Sequence, residues 1–200
     1  MAVIIDLSIS LDGFIAGPND SKERGLGTNG GEHIFDWYQG GGNPINGDAR
    51  LDPEAGVNRE ICEAMVLMYG TQITGRRTYD ITDGWNGTHP AAKHVVVVTH
   101  HRPEKVPTGG STFAFVDDVK KAVHLARELA GKKHVAIQGA SVAQQALAAG
   151  LVDEIFLHVA PIMVGGGVKL FDNLGDKPIR LELRSVNHGP NAVHQRYKVL

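Results

Sequence analysis

Three short stretches carry the residue types best suited to chemistry: Gly75-Arg76-Arg77-Thr78, Thr99-His100-His101-Arg102 and Gly139-Ala140-Ser141-Val142. Each follows a short apolar run, and the first and third open segments of helical character. At a strand-glycine-helix junction the first N–H groups of the helix have no partner within it. They point outward with the positive end of the helix dipole and offer a seat for an anion. The clearest case lies in residues 134–147, where Val135 and Ile137 lead to Gly139 and an Ala-rich segment begins at once. Only Gly139 is a glycine there, so the G-x-G-x-x-G fingerprint is absent, and Ser141 as a plain helix cap is the competing explanation. Taken singly, Arg76, Arg77 and Arg102 read as solvated surface charges. Three cationic groups at strand ends, two of them beside helix starts, suit a ligand with several phosphates, such as a dinucleotide carrying a 2′-phosphate. Ser141 as a hydrolytic nucleophile is disfavoured, because Gln138-Gly139-Ala140-Ser141-Val142 lacks the G-x-S-x-G elbow.

These junctions need a scaffold, and the remaining pattern supplies one. Residues 2–11 read as a buried strand, with Asp6, Ser8 and Ser10 breaking its far end into alternation. Asp12-Gly13 turns the chain into a brief strand at Phe14-Ile15-Ala16. Residues 21–50 are dense in glycine and lack a period. They form a long loop with one helical turn at 32–38, whose Ile34, Phe35, Trp37 and Tyr38 favour a packed cover over a binding site. A helix is expected with Asp52 as cap, Pro53 at its first position, Val57, Ile61, Ala64, Met65 and Met68 on one face, and Gly70 as its stop. Strands follow at 71–74, 94–99 and 113–116. Asp117 is expected to cap a helix with Val119, Val123, Ala126 and Leu129 as its stripe and Gly131 as its end. Residues 153–160 make a further strand. Residues 179–187 and 193–199 alternate around His188-Gly189-Pro190-Asn191 as an antiparallel hairpin. The order predicts one α/β domain over residues 1–200, a doubly wound, mostly parallel sheet with an antiparallel C-terminal hairpin. In such sheets ligands sit outside the carboxyl ends of the strands, where all three junctions fall.

Bulk properties narrow the function classes. A net charge of −2 gives no basic stripe for nucleic acid. The apolar runs are too short for a bilayer, and the N-terminus has neither a basic n-region nor a cleavage site, so a cytoplasmic protein is expected. The single cysteine, Cys62, cannot form an internal disulfide and is assigned to helix packing. The ten histidines lack ligand spacing, so no metal is expected. Leu181, Leu183, Val193, Tyr197 and Val199 would leave an apolar sheet edge exposed in a monomer, which predicts a homodimer.

The motifs Ser10-Leu11-Asp12-Gly13-Phe14-Ile15-Ala16, Gly75-Arg76-Arg77-Thr78-Tyr79, Val98-Thr99-His100 and Gly139-Ala140-Ser141 occur in this order. Gly150-Leu151-Val152-Asp153-Glu154 follows, then Pro161 and Gly165-Gly166-Gly167-Val168-Lys169-Leu170-Phe171. Together they resemble the dihydrofolate-reductase-like family, in the branch containing the reductase domain of the bacterial riboflavin-biosynthesis deaminase/reductase. The resemblance spans nearly the whole chain and implies an NADPH-dependent reductase. By it, Arg76, Arg77 and Thr78 hold the phosphates from one side, and Gly139, Ala140, Ser141 and Val142 hold the pyrophosphate from the other. Thr99, His100 and Arg102 meet the adenosine 2′-phosphate, and the loop ending at Ala16 lies beside the nicotinamide. Gln138 stands where many relatives have a glycine. Dihydrofolate reductases also hold the pterin with a carboxylate on the first helix. Its nearest counterparts here are Asp36 beside Trp37 and the turn residue Asp12, and the spacing of Asp36 to Trp37 differs, so the chain is not read as a dihydrofolate reductase. The expected function is hydride transfer from NADPH to a small pterin- or pyrimidine-like ring or imine. The alternative is a nucleotide-binding module of the same fold without turnover.

Overall fold

The computed structural model describes residues 1–39 and 56–200. The expected helix start at Asp52 and Pro53, and most of the glycine-rich stretch beyond residue 39, lie outside the described residues.

β1 (Val3–Ser10) is buried along its whole length, because sheet neighbours flank it on both sides and helices cover both faces. A turn leads to β2 (Phe14–Ala16), followed by a compact loop, a 3₁₀ turn (Gly31–Phe35) and the short α1 (Asp36–Gln39). Then come α2 (Val57–Met68), β3 (Tyr69–Gly75), α3 (Arg76–Ile81), β4 (His94–Val98) and β5 (Thr112–Val116). The chain continues through α4 (Val119–Ala130), β6 (His134–Gln138), α5 (Ala140–Ala148) and β7 (Glu154–Ala160). It ends with β8 (Val168–Lys169), β9 (Leu181–Gly189) and β10 (Ala192–Val199).

The main sheet has the order β5-β4-β3-β6-β1-β7-β10-β9. The first six strands in that order are parallel, and β10 and β9 complete the sheet antiparallel, as the alternation of 179–199 predicted. A second, two-stranded sheet pairs β2 with β8, which the sequence pattern did not suggest because each strand is too short to show a period. α4 and α5 pack on one face of the sheet, against Val3, Ile5, Leu7 and Ile9 of β1. Trp37 and α2 cover the other face, against Ile4, Ala136 and Phe156, and Tyr79 of α3 covers Val95 and Val97.

Three local expectations need correction. The cap of α4 is Asp118, whose carboxylate accepts from the N–H groups of Lys120 and Lys121, while Asp117 pairs with Lys121 at 2.8 Å. α2 is rotated by about one residue from the expected face: Asn58, Cys62 and Met65 are buried and Ala64 is exposed. A buried amide, Asn58, draws that face inward. The helix gives way directly to β3 at Tyr69, so Gly70 lies inside the strand. There a Cβ would meet the Ala130 carbonyl oxygen at 2.8 Å, and glycine allows the end of α4 to sit against the sheet.

Candidate active site

β3, β6 and β1 are adjacent and parallel, so their carboxyl ends deliver two helix starts and the β1–β2 turn to one rim. A cavity of about 260 Å³ opens there, lined by Ile15 and Ala16, by Gly75, Arg77 and Thr78, and by Gly139, Ala140, Ser141 and Val142. α3 and α5 each begin on a glycine, Gly75 and Gly139, and neither start is closed by a side-chain cap. Their first N–H groups are therefore without a side-chain partner. Gly139 has φ +97°, and a Cβ on it would stand 3.1 Å from Thr78 Oγ1. The two junctions approach so closely that only glycine keeps the space between them open. A cradle of backbone amides of this kind can accept anionic oxygens.

The arginines are placed differently from expectation. Arg77 lines the cavity, but its guanidinium grips Asp20 in a fork, Nε to Oδ2 at 2.8 Å and Nη2 to Oδ1 at 2.7 Å. Arg76 is absent from the cavity wall. Its Nε donates to Asp80 at 2.7 Å, and its Nη1 donates to the His101 carbonyl. Thr99, His100 and Arg102 line a second, open hollow with Phe115, Asp117 and Lys121, and the Arg102 guanidinium lies 5.5 Å from the centre of the Phe115 ring. Arg76 links the two hollows, since its chain neighbours Gly75 and Arg77 line the first and its side chain holds the loop of the second.

Neither carboxylate expected to act on substrate lines the cavity. Asp36 Oδ2 sits 3.0 Å from His33 Nδ1 on the surface. Asp12 accepts from Ser10 Oγ at 2.6 Å and from the N–H groups of Val164 and Gly165 at 3.2 and 2.7 Å. Slight burial pushes its carboxyl upward, and these hydrogen bonds outweigh that and hold it below the usual range. Asp12 is thus a clamp between the β1 turn and the triple-glycine loop.

Two carboxylates do line the cavity, Asp20, which is paired with Arg77, and Asp6. Along β1, residues 3, 5, 7 and 9 face the α4–α5 side, so Asp6 and Ser8 face the cavity, which both of them line. Asp6 Oδ2 accepts from the Tyr69 hydroxyl, and Asp6 Oδ1 lies 2.9 Å from His158 Nε2. Strand register extends the row: Ser8 is opposite His158 on β7, and His158 is opposite His194 on β10. The two imidazoles meet Nδ1 to Nδ1 at 2.7 Å, and His194 Nε2 reaches Asn58 Oδ1 on α2 at 3.0 Å. Trp37 donates from Nε1 to Ser8 Oγ at 2.9 Å, and its ring lies 4.4 Å from that of His158. Trp37, Tyr38 and Phe35 all line the cavity, so the segment expected to be only a packed cover is also part of the wall.

Burial sets the ionisation of this wall, and of His194 and Cys62 behind it. It pushes the Tyr69 phenol well above its ordinary value, with the Asp6 charge adding to it. Burial, and then His158 alongside, push His194 down to about 3. Burial holds His89, also in the wall, at about 4, and raises the Cys62 thiol to about 12. Among the described residues no group of three or more His, Cys, Asp or Glu side chains is placed to hold a metal, and no helix is long and apolar enough to cross a membrane.

This sheet, with its cleft at the carboxyl ends and its antiparallel C-terminal strands, is the dihydrofolate-reductase-like fold. Within that class the chain belongs to the RibD C-terminal domain family, whose pattern it matches over residues 1–195, in agreement with the resemblance carried by its motifs. It is 24% identical over 199 residues to the uncharacterized protein YyaP of Bacillus subtilis, covering 92% of this chain and 86% of YyaP. Its fold matches that of the diaminohydroxyphosphoribosylaminopyrimidine deaminase/5-amino-6-(5-phosphoribosylamino)uracil reductase of Thermotoga maritima. The TM-score is 0.61 at 14% identity, covering all of this chain and 56% of that one. It also matches dihydrofolate reductase from Enterococcus faecalis in complex with NADP(H). There the TM-score is 0.58 at 12% identity, covering 99% and 96% of the two chains.

Proposed function

We propose that this protein is an NADPH-dependent reductase acting on a small pyrimidine- or pterin-like substrate with an unsaturated C=N or C=O bond. The observation that carries the reading is the convergence of two uncapped, glycine-started helices and an aromatic, acid-bearing wall on one cavity. The amide cradle of Gly75–Thr78 and Gly139–Val142 would hold the pyrophosphate, and the hollow at Thr99, His100 and Arg102 would take the 2′-phosphate. Bound NADPH supplies the hydride. The protein's own residues place the substrate against Trp37 and Tyr38, exclude water and hold a proton nearby. The family and the two enzymes with matching folds support this class of chemistry.

The same reading includes a cytoplasmic homodimer. β9 ends the sheet, and Leu181, Leu183 and Val186 along it are 42%, 56% and 54% exposed, an apolar edge that a second copy would cover.

The test is loss of NADPH absorbance on mixing with a panel of pterins, aminopyrimidines and quinones. Oxidation with at least one pterin or aminopyrimidine is expected. NADPH that binds and is oxidised by none of the panel would identify a nucleotide-binding module without turnover.

A further inference from the structure

The hydrogen-bonded row Asn58–His194–His158–Asp6 fixes its own proton count. Asn58 Nδ2 donates to the carbonyls of Trp37 and Pro190 at 3.0 and 2.9 Å, so its Oδ1 faces His194. His194 Nε2 must then carry a hydrogen to make the 3.0 Å contact. His194 is held neutral, so its Nδ1 is bare and accepts, and the hydrogen in the 2.7 Å contact sits on His158 Nδ1. The remaining contact, His158 Nε2 to Asp6 Oδ1 at 2.9 Å, also needs a hydrogen. A neutral His158 has already placed its single hydrogen on Nδ1. One added proton therefore resides in this contact, on Asp6 as the acid or on His158 as the imidazolium.

From this count we propose that Asp6 and His158 share one transferable proton in the cleft wall and deliver it to the substrate heteroatom during reduction, with His194 and Asn58 as positioning residues. The role rests on the reductase reading above. Reduction of C=N or C=O needs a hydride on carbon and a proton on nitrogen or oxygen. The hydride forms the new C–H bond, the π pair moves to the heteroatom, and that atom takes the proton from the pair. Asp6 and His158 are 2% and 1% exposed, yet both line the cavity. Delivery leaves Asp6 a carboxylate facing the bare Nε2 of His158, two lone pairs with no hydrogen between them. That mismatch drives reprotonation from solvent before the next turnover.

The groups facing the pair belong to several elements. Tyr69 donates to the second oxygen of Asp6, Tyr38 and Cys62 lie within reach of its charge, and His188 lies near His194. The Arg196–Glu154 pair, Nε to Oε2 at 2.6 Å, spans the neighbouring strands and is internally compensated. The geometry also needs Gly189, where a Cβ would fall 1.9 Å from Asn58 Oδ1.

Two measurements test the proposal. Long-range ¹H–¹⁵N NMR on the ligand-free protein at neutral pH, with His158 and His194 assigned by substitution, is expected to show His194 bare at Nδ1 and His158 protonated at Nδ1. Asp6→Asn offers the same two hydrogen bonds, Oδ1 to the Tyr69 hydroxyl and Nδ2–H to His158 Nε2, but holds no transferable proton. It is expected to stay folded and to bind NADPH like the wild type, while turnover falls about a hundredfold or more. Either His194 protonated at Nδ1, or Asp6→Asn turning over within a few-fold of wild type, overturns the proposal. If the wild type binds no NADPH, the reductase reading fails. The tautomer pattern tests the proton count independently of that outcome.

Discussion

At the scale of single residues, the site depends on a few side chains that are absent and a few that are buried. Gly139 has both a positive φ and a neighbour 3.1 Å from where its Cβ would be, so the cradle needs the missing methyl. Gly139→Ala is expected to cost about 1–3 kcal/mol in stability from backbone strain and to weaken NADPH binding at least tenfold. Chemical denaturation and a binding titration would check the two effects. Wild-type affinity in the variant would mean that the phosphates do not approach this junction. His89 shows burial acting in the opposite direction, on a group that gains nothing from charge. Its Nδ1 accepts from the N–H groups of Ala91 and Ala92, both at 3.1 Å, which needs a bare nitrogen and a neutral ring. Burial lowers its pKa from 6.5 to about 4, so the unfolded chain takes up a proton in acid that the folded chain refuses. Stability from this group is present above about pH 6.5 and is lost as the pH falls toward 4, with a limiting slope of about 1.4 kcal/mol per pH unit. His89→Gln is therefore expected to shrink the stability difference between pH 7 and pH 5 by about 2 kcal/mol, read from urea midpoints. An unchanged difference would show that His89 is protonated in the fold.

At the scale of elements, what was legible in the sequence was whatever repeats along it. The βα junctions at Gly75 and Gly139, the α4 stripe and the C-terminal hairpin all announce themselves by period or by punctuation. The polar row of the site does not. Asp6 and Ser8 show in the sequence only as alternation at the far end of a buried strand, and because β1 is covered on both faces, alternation there means a polar row aimed at a cavity. That inference was available: polar residues at every second position of a central strand need buried partners. The partners themselves were not available, because Tyr69, His158 and His194 come from β3, β7 and β10 and meet only through register. Asn58 was missed because an apolar-face reading of α2 discards its one buried amide. The pairing of Arg76 and Arg77 was hidden for a related reason, since composition shows cations but not the Asp80 and Asp20 that hold them. β9 carries the prediction proper to this scale. Leu183→Lys on the apolar edge is expected to give a folded monomer where the wild type is a dimer, measured by light scattering at matched concentration. A monomeric wild type would refute the assignment of this edge to a second copy.

At the scale of the whole molecule, one rim of the sheet collects the groups that the proposed reduction would need. Two helix starts and a glycine gap offer backbone dipoles where a phosphorylated coenzyme would lie, while β1 and β7 bring a buried acid and an imidazole to the same cavity and β10 backs them with a second imidazole, His194. The order β3-β6-β1-β7-β10 makes this possible, because strands far apart in sequence become neighbours there. In the proposed function this rim grips a coenzyme carrying a 2′-phosphate. The most direct test of this function is a pair of fluorescence titrations, NADPH and NADH, repeated on Arg102→Ala. Saturable NADPH binding at least tenfold tighter than that of NADH is expected, with Arg102→Ala weakening NADPH and leaving NADH unchanged. Equally negligible binding of both coenzymes to the wild type would contradict it.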